Sequence, residues 1–285
     1  MESRLLIAIA VSLLAMGCGG VMEQPSGPSD SSVAANAATR LKDARVLFAH
    51  QSVGGNIIDG ILSLQKEAGS NLNVIDLEAA RTASTGFIAH ARLGQNGDPK
   101  GKTDAFVAAL EGGLGQRVDI ALQKYCYADF DRTTDAADVF ASYQRGIDRI
   151  RHDFPDVSVV HVTAPLMAVQ SGPKAVIKKL IGRAPDHYEE NLVREQFNDL
   201  MRRAYQGREP LFDLASLESS RPGQPRDALS LGSSTVYALL PEYTTDGGHL
   251  NAGAERRVAA AFLSFLADVA GKRDSRSSRP AAAPE

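Results

Sequence analysis

The sequence contains no tryptophan, only two cysteines and few aromatic residues, which make up 6% of the chain. Exposed aromatic rings that could serve as platforms for sugars are therefore scarce, and a bound sugar would be held mostly by polar contacts. The formal net charge is only −3, and no basic stripe indicates binding to nucleic acid. What remains is an ordinary globular composition, and a domain of this length buries enough apolar surface to fold without cross-links.

A single apolar run near the N-terminus, residues 5–16, is too short to span a bilayer, which takes about 20 residues in a helix. It follows Arg4 and ends in a small residue just before Cys18. This pattern resembles a bacterial lipoprotein signal, so residues 1–17 are predicted to be removed and Cys18 to carry lipid. The chain would then be exported to the bacterial cell envelope, at the outer membrane or cell surface, and held to the membrane by this anchor only. Cys126 would have no partner for a disulfide.

Composition divides the rest of the chain into three parts. Residues 18–40 are small, polar and rich in Pro, Gly and Ser, which is typical of a flexible tether. Residues 272–285 are predicted to be a disordered tail. The folded domain is therefore expected to run from residue 41 to residue 271.

Within this domain, short apolar runs alternate with stretches of helical periodicity. Alternation of this kind predicts a three-layer α/β/α fold with a flavodoxin-like, doubly wound sheet of about five mainly parallel strands. Long loops, which are uncommon unless functional, are expected after the second, fourth and fifth strands at residues 78–102, 164–187 and 216–251. The predicted strands are residues 45–50, 72–77, 118–125, 157–163 and 211–215.

Ser52 stands directly after the first predicted strand, in the segment HQSVGGN. A serine between a strand and a helix projects its hydroxyl at the sheet edge, where nearby N–H groups can stabilise an oxyanion. Gly54 and Gly55 keep the approach to this hydroxyl open. The same position also suits a serine that only caps the helix.

The segment DGGH, from Asp246 to His249, lies just before the last predicted helix. A carboxylate three residues before a histidine can turn back and fix the tautomer of the imidazole, as a serine triad requires. The segment could also be a glycine-rich turn with a solvated aspartate. Because it lies at the same predicted sheet edge as Ser52, the three residues are expected to form a catalytic triad.

Together these segments resemble the SGNH/GDSL hydrolase superfamily over about residues 44–270. RVLFAHQSV is similar to the block that places the serine after the first strand, and TTDGGHLN to the block with Asp-x-x-His before the last helix. The resemblance implies an SGNH-hydrolase-like fold and a serine esterase. It also implies that Ser52 is the nucleophile, His249 the base and Asp246 the residue that orients the base.

The sequence departs from this family in two blocks. The usual Gly-Asp-Ser is HQS here, so His50 and Gln51 precede the serine and are candidates to line the site, although His50 is better explained by packing. The third block, Gly-x-Asn-Asp after the third strand, reads KYCYAD and lacks the asparagine that completes the oxyanion hole. A lysine, a tyrosine hydroxyl or a backbone N–H could replace it. The candidates for lining the site from this segment are Lys124, Cys126, Tyr127 and Asp129, of which Cys126 is better explained as a small apolar residue.

The family's second block supplies a glycine N–H to the oxyanion hole, beside the N–H of the serine. Gly94, in the segment LGQNGD, is the predicted counterpart, and Gly86 is its competitor. The turn signal NGDP explains the same segment without a catalytic role.

No cofactor is expected. The histidines show no spacing typical of a metal site, and no glycine-rich loop opens a helix as phosphate binding requires. The predicted reaction is hydrolysis of a small acyl ester, such as an O-acetyl group, on an envelope glycan or another acylated molecule. The alternatives are transfer of the acyl group to a glycan and a non-catalytic lipoprotein for glycan binding or envelope assembly.

Overall fold

The computed structural model of the chain describes residues 28–231 and 233–277. Its main sheet has six strands in the order β2-β3-β1-β4-β5-β6, with every neighbouring pair parallel. These strands are β1 (Arg45–His50), β2 (Val74–Asp76), β3 (Phe87–Arg92), β4 (Ile120–Gln123), β5 (Ser158–Val162) and β6 (Leu211–Phe212). A separate antiparallel hairpin consists of β7 (Ala228–Leu231) and β8 (Ser234–Tyr237).

Helices cover both faces of the main sheet, because side chains along each strand alternate between two apolar clusters. On β1, Val46 and Phe48 belong to the cluster under α1, α2 and α9, whereas Leu47 and Ala49 belong to the cluster under α4, α5 and α7. The predicted three-layer α/β/α fold is therefore confirmed. The helices are α1 (Asp30–Leu41), α2 (Val53–Ala68), α3 (Leu77–Ala80), α4 (Pro99–Ala109), α5 (Ala136–Asp153), α6 (Pro173–Leu180), α7 (Tyr188–Tyr205), α8 (Leu214–Glu218) and α9 (Ala252–Ser277).

The strand order places a site at the carboxyl end of β1. Without the short edge strand β2, the order β3-β1-β4-β5-β6 is the flavodoxin-like one, which confirms the predicted topology. The winding reverses between β1 and β4, and ligands of such sheets bind outside the carboxyl ends of the strands at this point. Ser52 lies two residues beyond the last residue of β1.

The predicted loop over residues 78–102 is wrong, because it contains α3 and a whole strand, β3. Only the first three residues of β3 are buried, and His90 and Arg92 near its end weaken the apolar pattern. The predicted strand 72–77 is shorter than expected, because Asp76 accepts a hydrogen bond from Ala79 N and begins α3. The other two predicted loops contain α6 and the β7–β8 hairpin.

The domain extends beyond both predicted limits. The predicted tether is wrong from residue 30, where α1 begins, since Ala34, Ala37, Ala38 and Leu41 are buried against α2 and α9. The predicted tail is wrong for residues 272–277, which continue α9 past the expected end at residue 271. There the Arg273 guanidinium donates to the Asp156 carbonyl and the Ser158 hydroxyl. The predicted signal peptide, Cys18 and the rest of the tether and tail lie outside the described residues.

Among the described helices, none combines the length and the apolar character needed to cross a membrane.

Candidate active site

Ser52, His249 and Asp246 form a continuous hydrogen-bonded chain at the carboxyl edge of the sheet. Ser52 Oγ lies 2.8 Å from His249 Nε2, and His249 Nδ1 lies 2.7 Å from Asp246 Oδ2. Because an ionised carboxylate only accepts, Nδ1 is the protonated nitrogen and donates to Asp246. Nε2 is then free to accept from the serine hydroxyl, as a general base requires. The structure thus brings together the three residues of the predicted triad, and their catalytic roles stay predictions.

The Asp246 carboxylate is fixed by the turn that it begins. Its Oδ1 accepts from Gly248 N at 2.9 Å and from His249 N at 2.8 Å. These backbone hydrogen bonds, followed by the bond to the His249 side chain, lower the pKa of Asp246 well below its usual range. Asp246 is therefore ionised at neutral pH and available to stabilise an imidazolium.

Two further contacts hold the loop that carries His249. Gly247 O accepts from Ala168 N at 2.8 Å, which ties the loop to the segment after β5. Asn56 connects the loop to the serine-bearing helix: its Oδ1 accepts from Leu250 N at 3.3 Å, and its Nδ2 donates to Glu255 Oε1 at 2.7 Å. The sequence analysis missed Asn56, whose one available signal is its position in the first turn of α2, four residues after Ser52.

Ser52 occupies a strained backbone conformation, with φ 46° and ψ −111°. These angles are close to those of the second residue of a type II′ turn, a position dominated by glycine. Although Ser52 precedes the first residue of α2, its side chain makes no capping hydrogen bond, so the interpretation as an N-cap serine is wrong. The strained turn instead directs the hydroxyl at His249, and strain of this kind is concentrated at functional sites.

Gly54 allows the strained turn to lie close to the end of β1. A Cβ atom at Gly54 would lie 2.3 Å from the Cβ of His50, whereas a Cβ at Gly55 would meet no atom within 4 Å. His50 itself is buried, and its Nε2 lies 3.1 Å from His90 Nδ1. Burial, with a smaller contribution from the nearby charge of Lys124, lowers the pKa of His50 to about 3. His50 is therefore a neutral packing residue beneath Ser52.

The structure separates the two candidate glycines of the oxyanion hole. Gly86 precedes β3 and lies against the carbonyl of Lys42, at the amino edge of the sheet and away from Ser52. Gly94 follows β3 at the carboxyl edge, with φ 66°. Within the described residues, neither the Ser52 N–H nor the Gly94 N–H donates to a protein acceptor. Both donors are thus available to an oxyanion.

Gln51 connects the Gly94 loop to the serine. Its side-chain amide donates to Gly94 O at 2.9 Å and to Leu93 O at 3.3 Å. Gln51 therefore contacts the loop of the oxyanion glycine through its side chain and Ser52 through the backbone. It thereby fixes the position of the Ser52 N–H relative to the Gly94 N–H, the two proposed oxyanion donors.

A buried ion pair stabilises the loop that carries Gly94. Lys102 Nζ lies 2.7 Å from both carboxylate oxygens of Asp129 and donates to Asn96 Oδ1 at 2.9 Å. Asp129 also accepts from Gly97 N and Cys126 N, at 2.9 and 2.7 Å. Asp129 thus joins the Gly94 loop to the loop after β4 and lies out of contact with solvent. Lys102, a helix residue with no motif around it, was missed by the sequence analysis.

Lys124 lies beneath the site, with only 1% of its surface exposed. Its Nζ has no hydrogen-bond partner within the described residues, and neither has Oε1 of the nearby buried Glu218. Burial lowers the pKa of Lys124 and raises the pKa of Glu218. Because water does not reach this ammonium group, a substrate oxygen cannot contact it in this conformation.

Tyr127 contacts the triad directly. Its ring meets the His249 ring edge to face, with centroids 5.8 Å apart, and its hydroxyl lies against Gly248, where a Cβ would be 3.1 Å away. Of the four residues predicted to line the site from this segment, Tyr127 is therefore the one beside the predicted triad. The Cys126 thiol is buried, as expected for a small apolar residue.

No group of three or more His, Cys, Asp or Glu side chains suited to holding a metal ion occurs in the part of the chain that the structure describes. His161, on β5, is fully buried, and its two ring nitrogens hydrogen-bond to Tyr143 and Glu209.

No family model matches the sequence, and no curated protein matches it either. Solved structures match at low identity. A Streptococcus pneumonia protein described under the name platelet activating factor is 15% identical, with 85% of this chain and 92% of that chain covered and a TM-score of 0.44. A peptidoglycan O-acetylesterase is 14% identical over 66% of this chain and 48% of the other, with a TM-score of 0.43. The periplasmic domain of a Salmonella ser. Paratyphi A lipopolysaccharide acetyltransferase is 10% identical over 84% and 88%, with a TM-score of 0.42. In its motifs and its parallel sheet, the chain resembles a divergent member of the SGNH/GDSL superfamily.

Proposed function

We propose that this chain is a serine hydrolase that cleaves carboxylic esters through an acyl-enzyme. The observation that carries the proposal is the chain of contacts from Ser52 Oγ through His249 to Asp246, at 2.8 and 2.7 Å. A hydrogen-bonded nucleophile, base and orienting carboxylate is the arrangement that this reaction uses.

In the first half of the reaction, His249 Nε2 takes the hydroxyl proton of Ser52 as Oγ attacks the ester carbonyl carbon. Asp246 stabilises the imidazolium that forms, and the N–H groups of Ser52 and Gly94 donate to the oxyanion. The imidazolium then returns its proton to the leaving alcohol as the carbon–oxygen bond breaks. The acyl group remains on Ser52.

In the second half, His249 deprotonates a water molecule, which attacks the acyl carbon, and Ser52 Oγ leaves with the proton from His249. The products are the carboxylic acid and the regenerated serine. A sugar hydroxyl in place of water would give acyl transfer by the same steps.

The substrate we propose is a small acyl ester, such as an O-acetyl group, on a glycan or another envelope molecule. This rests on the sequence resemblance and on the predicted export of the chain, with Cys18 as the lipidated residue at the envelope. An intact-mass measurement of membrane-extracted protein tests the anchor. A mass with added acyl chains at Cys18 supports it, and an unmodified mass contradicts it.

A fluorophosphonate probe tests the catalytic proposal, since it reacts covalently with an activated serine. We expect labelling of the unaltered protein and loss of labelling in Ser52→Ala and His249→Ala. Ser84→Ala, at an exposed serine far from the triad in sequence, is the matched control and should label normally. Folded protein that neither labels nor cleaves short acyl esters would leave a non-catalytic binding protein as the better assignment.

The products distinguish hydrolysis from transfer. Incubation with an O-acetylated glycan should release free acetate if water is the acceptor. Acetyl groups that move to an added, unacetylated glycan without release of acetate would favour the transferase.

A further inference from the structure

One short helix, α6, exposes large apolar side chains to solvent. The exposed fractions are 55% for Val176, 57% for Ile177 and 81% for Leu180, and Ile181 just beyond the helix is 62% exposed. The other exposed large apolar residues of the described chain are less exposed: Leu62, at 48%, lies on α2, and Leu229, at 40%, lines a cavity together with Val176. Clusters of exposed apolar surface mark sites of interaction with proteins or membranes.

These apolar side chains share one side of α6. With about 100° between successive residues of a helix, Val176, Ile177 and Leu180 span roughly 100° of the circumference. Lys174 and Lys179 fall on the two borders of this side, and Ala175, which is buried, faces the protein. An apolar side bordered by lysines is the pattern of a helix that lies in a membrane interface, because lysine stems can follow the apolar surface while the ammonium groups reach outwards.

The segment that contains α6, residues 173–187, is positively charged, whereas the whole chain is negatively charged. Residues 173–187 contain four basic residues and one acidic residue, while the chain has a net charge of −3. Lys178 is neutralised by Asp186 at 2.5 Å. Lys174, Lys179 and Arg183 make no ion pair with any described residue. The apolar side is thus surrounded by uncompensated positive charge.

The segment lies beside the proposed catalytic loop. It follows the carboxyl end of β5, and Ala168 N donates to Gly247 O within the Asp246–His249 turn. Beneath α6 is a cavity of about 320 Å³ with largely apolar walls, which include Ala175, Val176 and Leu239. A surface bound to α6 would therefore lie near the sheet edge that carries Ser52.

We propose that α6 docks on an anionic lipid surface, with Val176, Ile177 and Leu180 in the interface and Lys174 and Lys179 at the headgroups. Charge complementarity favours an anionic lipid surface as the binding partner of α6. Anionic headgroups attract the unpaired lysines, and the bilayer interior accepts the apolar side chains. Docking turns the carboxyl edge of the sheet towards the lipid. This inference does not depend on the catalytic proposal.

The absence of tryptophan makes a fluorescence test possible. Leu180→Trp in the full-length chain places the sole tryptophan on the proposed docking side. Added phosphatidylglycerol vesicles should shift its emission to shorter wavelength, and brominated acyl chains should quench it. Because each lysine near an anionic surface contributes about fivefold to binding, Lys174→Gln with Lys179→Gln should weaken the response roughly 30-fold. Neutral phosphatidylcholine vesicles should give a smaller response.

Leu62→Trp is the matched control, because Leu62 is a solitary exposed leucine on α2. Its emission should not respond to vesicles even if the N-terminus is inserted in them. The docking proposal is overturned if the Leu180→Trp spectrum and quenching remain those of a solvent-exposed side chain, which would leave a protein partner as the occupant. It is also overturned if both probes respond equally, since the contact would then not be specific to α6.

Discussion

The side-chain amide of Gln51 donates to the carbonyl oxygen of Gly94 at 2.9 Å, which links the residue before the proposed nucleophile to the loop of the second oxyanion donor. Removal of this amide in Gln51→Ala frees the Gly94 loop, so one N–H loses its fixed position. Loss of one oxyanion donor costs on the order of 10²–10³ in kcat, and displacement should cost roughly 10-fold or more. Steady-state kinetics on a short acyl ester should show lower kcat with little change in KM. Gln95→Ala, at an exposed residue of the same loop, is the control, and an equal loss there would contradict the role of Gln51.

The strained backbone of Ser52 predicts that glycine and alanine at this position differ in stability although both abolish catalysis. Glycine adopts φ 46° and ψ −111° without strain, whereas alanine does not. Ser52→Gly should therefore be more stable than Ser52→Ala by about 1 kcal/mol, and both should be inactive. Urea unfolding measures the difference. Ser84, whose φ is not positive, provides the comparison: there glycine should be the less stable replacement.

The buried Lys102–Asp129 pair should contribute far more to stability than an exposed pair whose lysine lies on the same helix. Lys102→Met leaves the Asp129 carboxylate buried without its counter-charge, which should cost about 3–5 kcal/mol in the free energy of unfolding. Lys100 pairs with Asp138 at the surface, and Lys100→Met should cost about 0–1 kcal/mol. Equal costs for the two substitutions would show that burial does not set the strength of the pair.

Two buried histidines predict a loss of stability in acid. Burial lowers the pKa of His161 to about 4 and the pKa of His50 to about 3, whereas the pKa of a histidine in an unfolded chain is about 6.5. Between these values the unfolded chain binds more protons than the folded chain, so the stabilising contribution is complete above about pH 6.5 and decreases as the pH falls towards 4. Urea unfolding across this range should show the decrease.

His161→Gln should reduce the slope of stability against pH between about pH 4 and 6.5, since one of the two groups is removed. His152→Gln, at an exposed histidine, is the matched substitution. A slope that His161→Gln leaves unaltered would mean that other groups cause the acid sensitivity.

The three residues of the proposed triad could be selected from the sequence because each lies beside a strong local signal. Ser52 follows an apolar strand, and Asp246 and His249 flank two glycines before an amphipathic helix. The residues that position them carry no such signal. Asn56 acts through a contact with Glu255, 199 residues away, and Lys102 through one with Asp129, 27 residues away. Contacts of this kind depend on the folded structure and leave no local pattern.

The predictions of a loop over residues 78–102 and of a tether up to residue 40 were wrong for different physical reasons. β3 begins with three apolar residues but ends in His90 and Arg92, so it lacks the continuous apolar run that is typical of a buried parallel strand. α1 consists largely of small residues, which resemble a linker in composition. Its buried positions, Ala34, Ala37, Ala38 and Leu41, nevertheless follow helical spacing, and this pattern was present in the sequence.

The packing of α1 and α2 against α9 joins the first described helices of the domain to a helix more than 180 residues later in the chain. Because a ribosome makes α9 after every other described element, the apolar faces of α1 and α2 have no permanent cover until α9 has been synthesised. The nascent domain consequently remains incompletely folded up to that point, and a variant that lacks α9 leaves these faces open to aggregation.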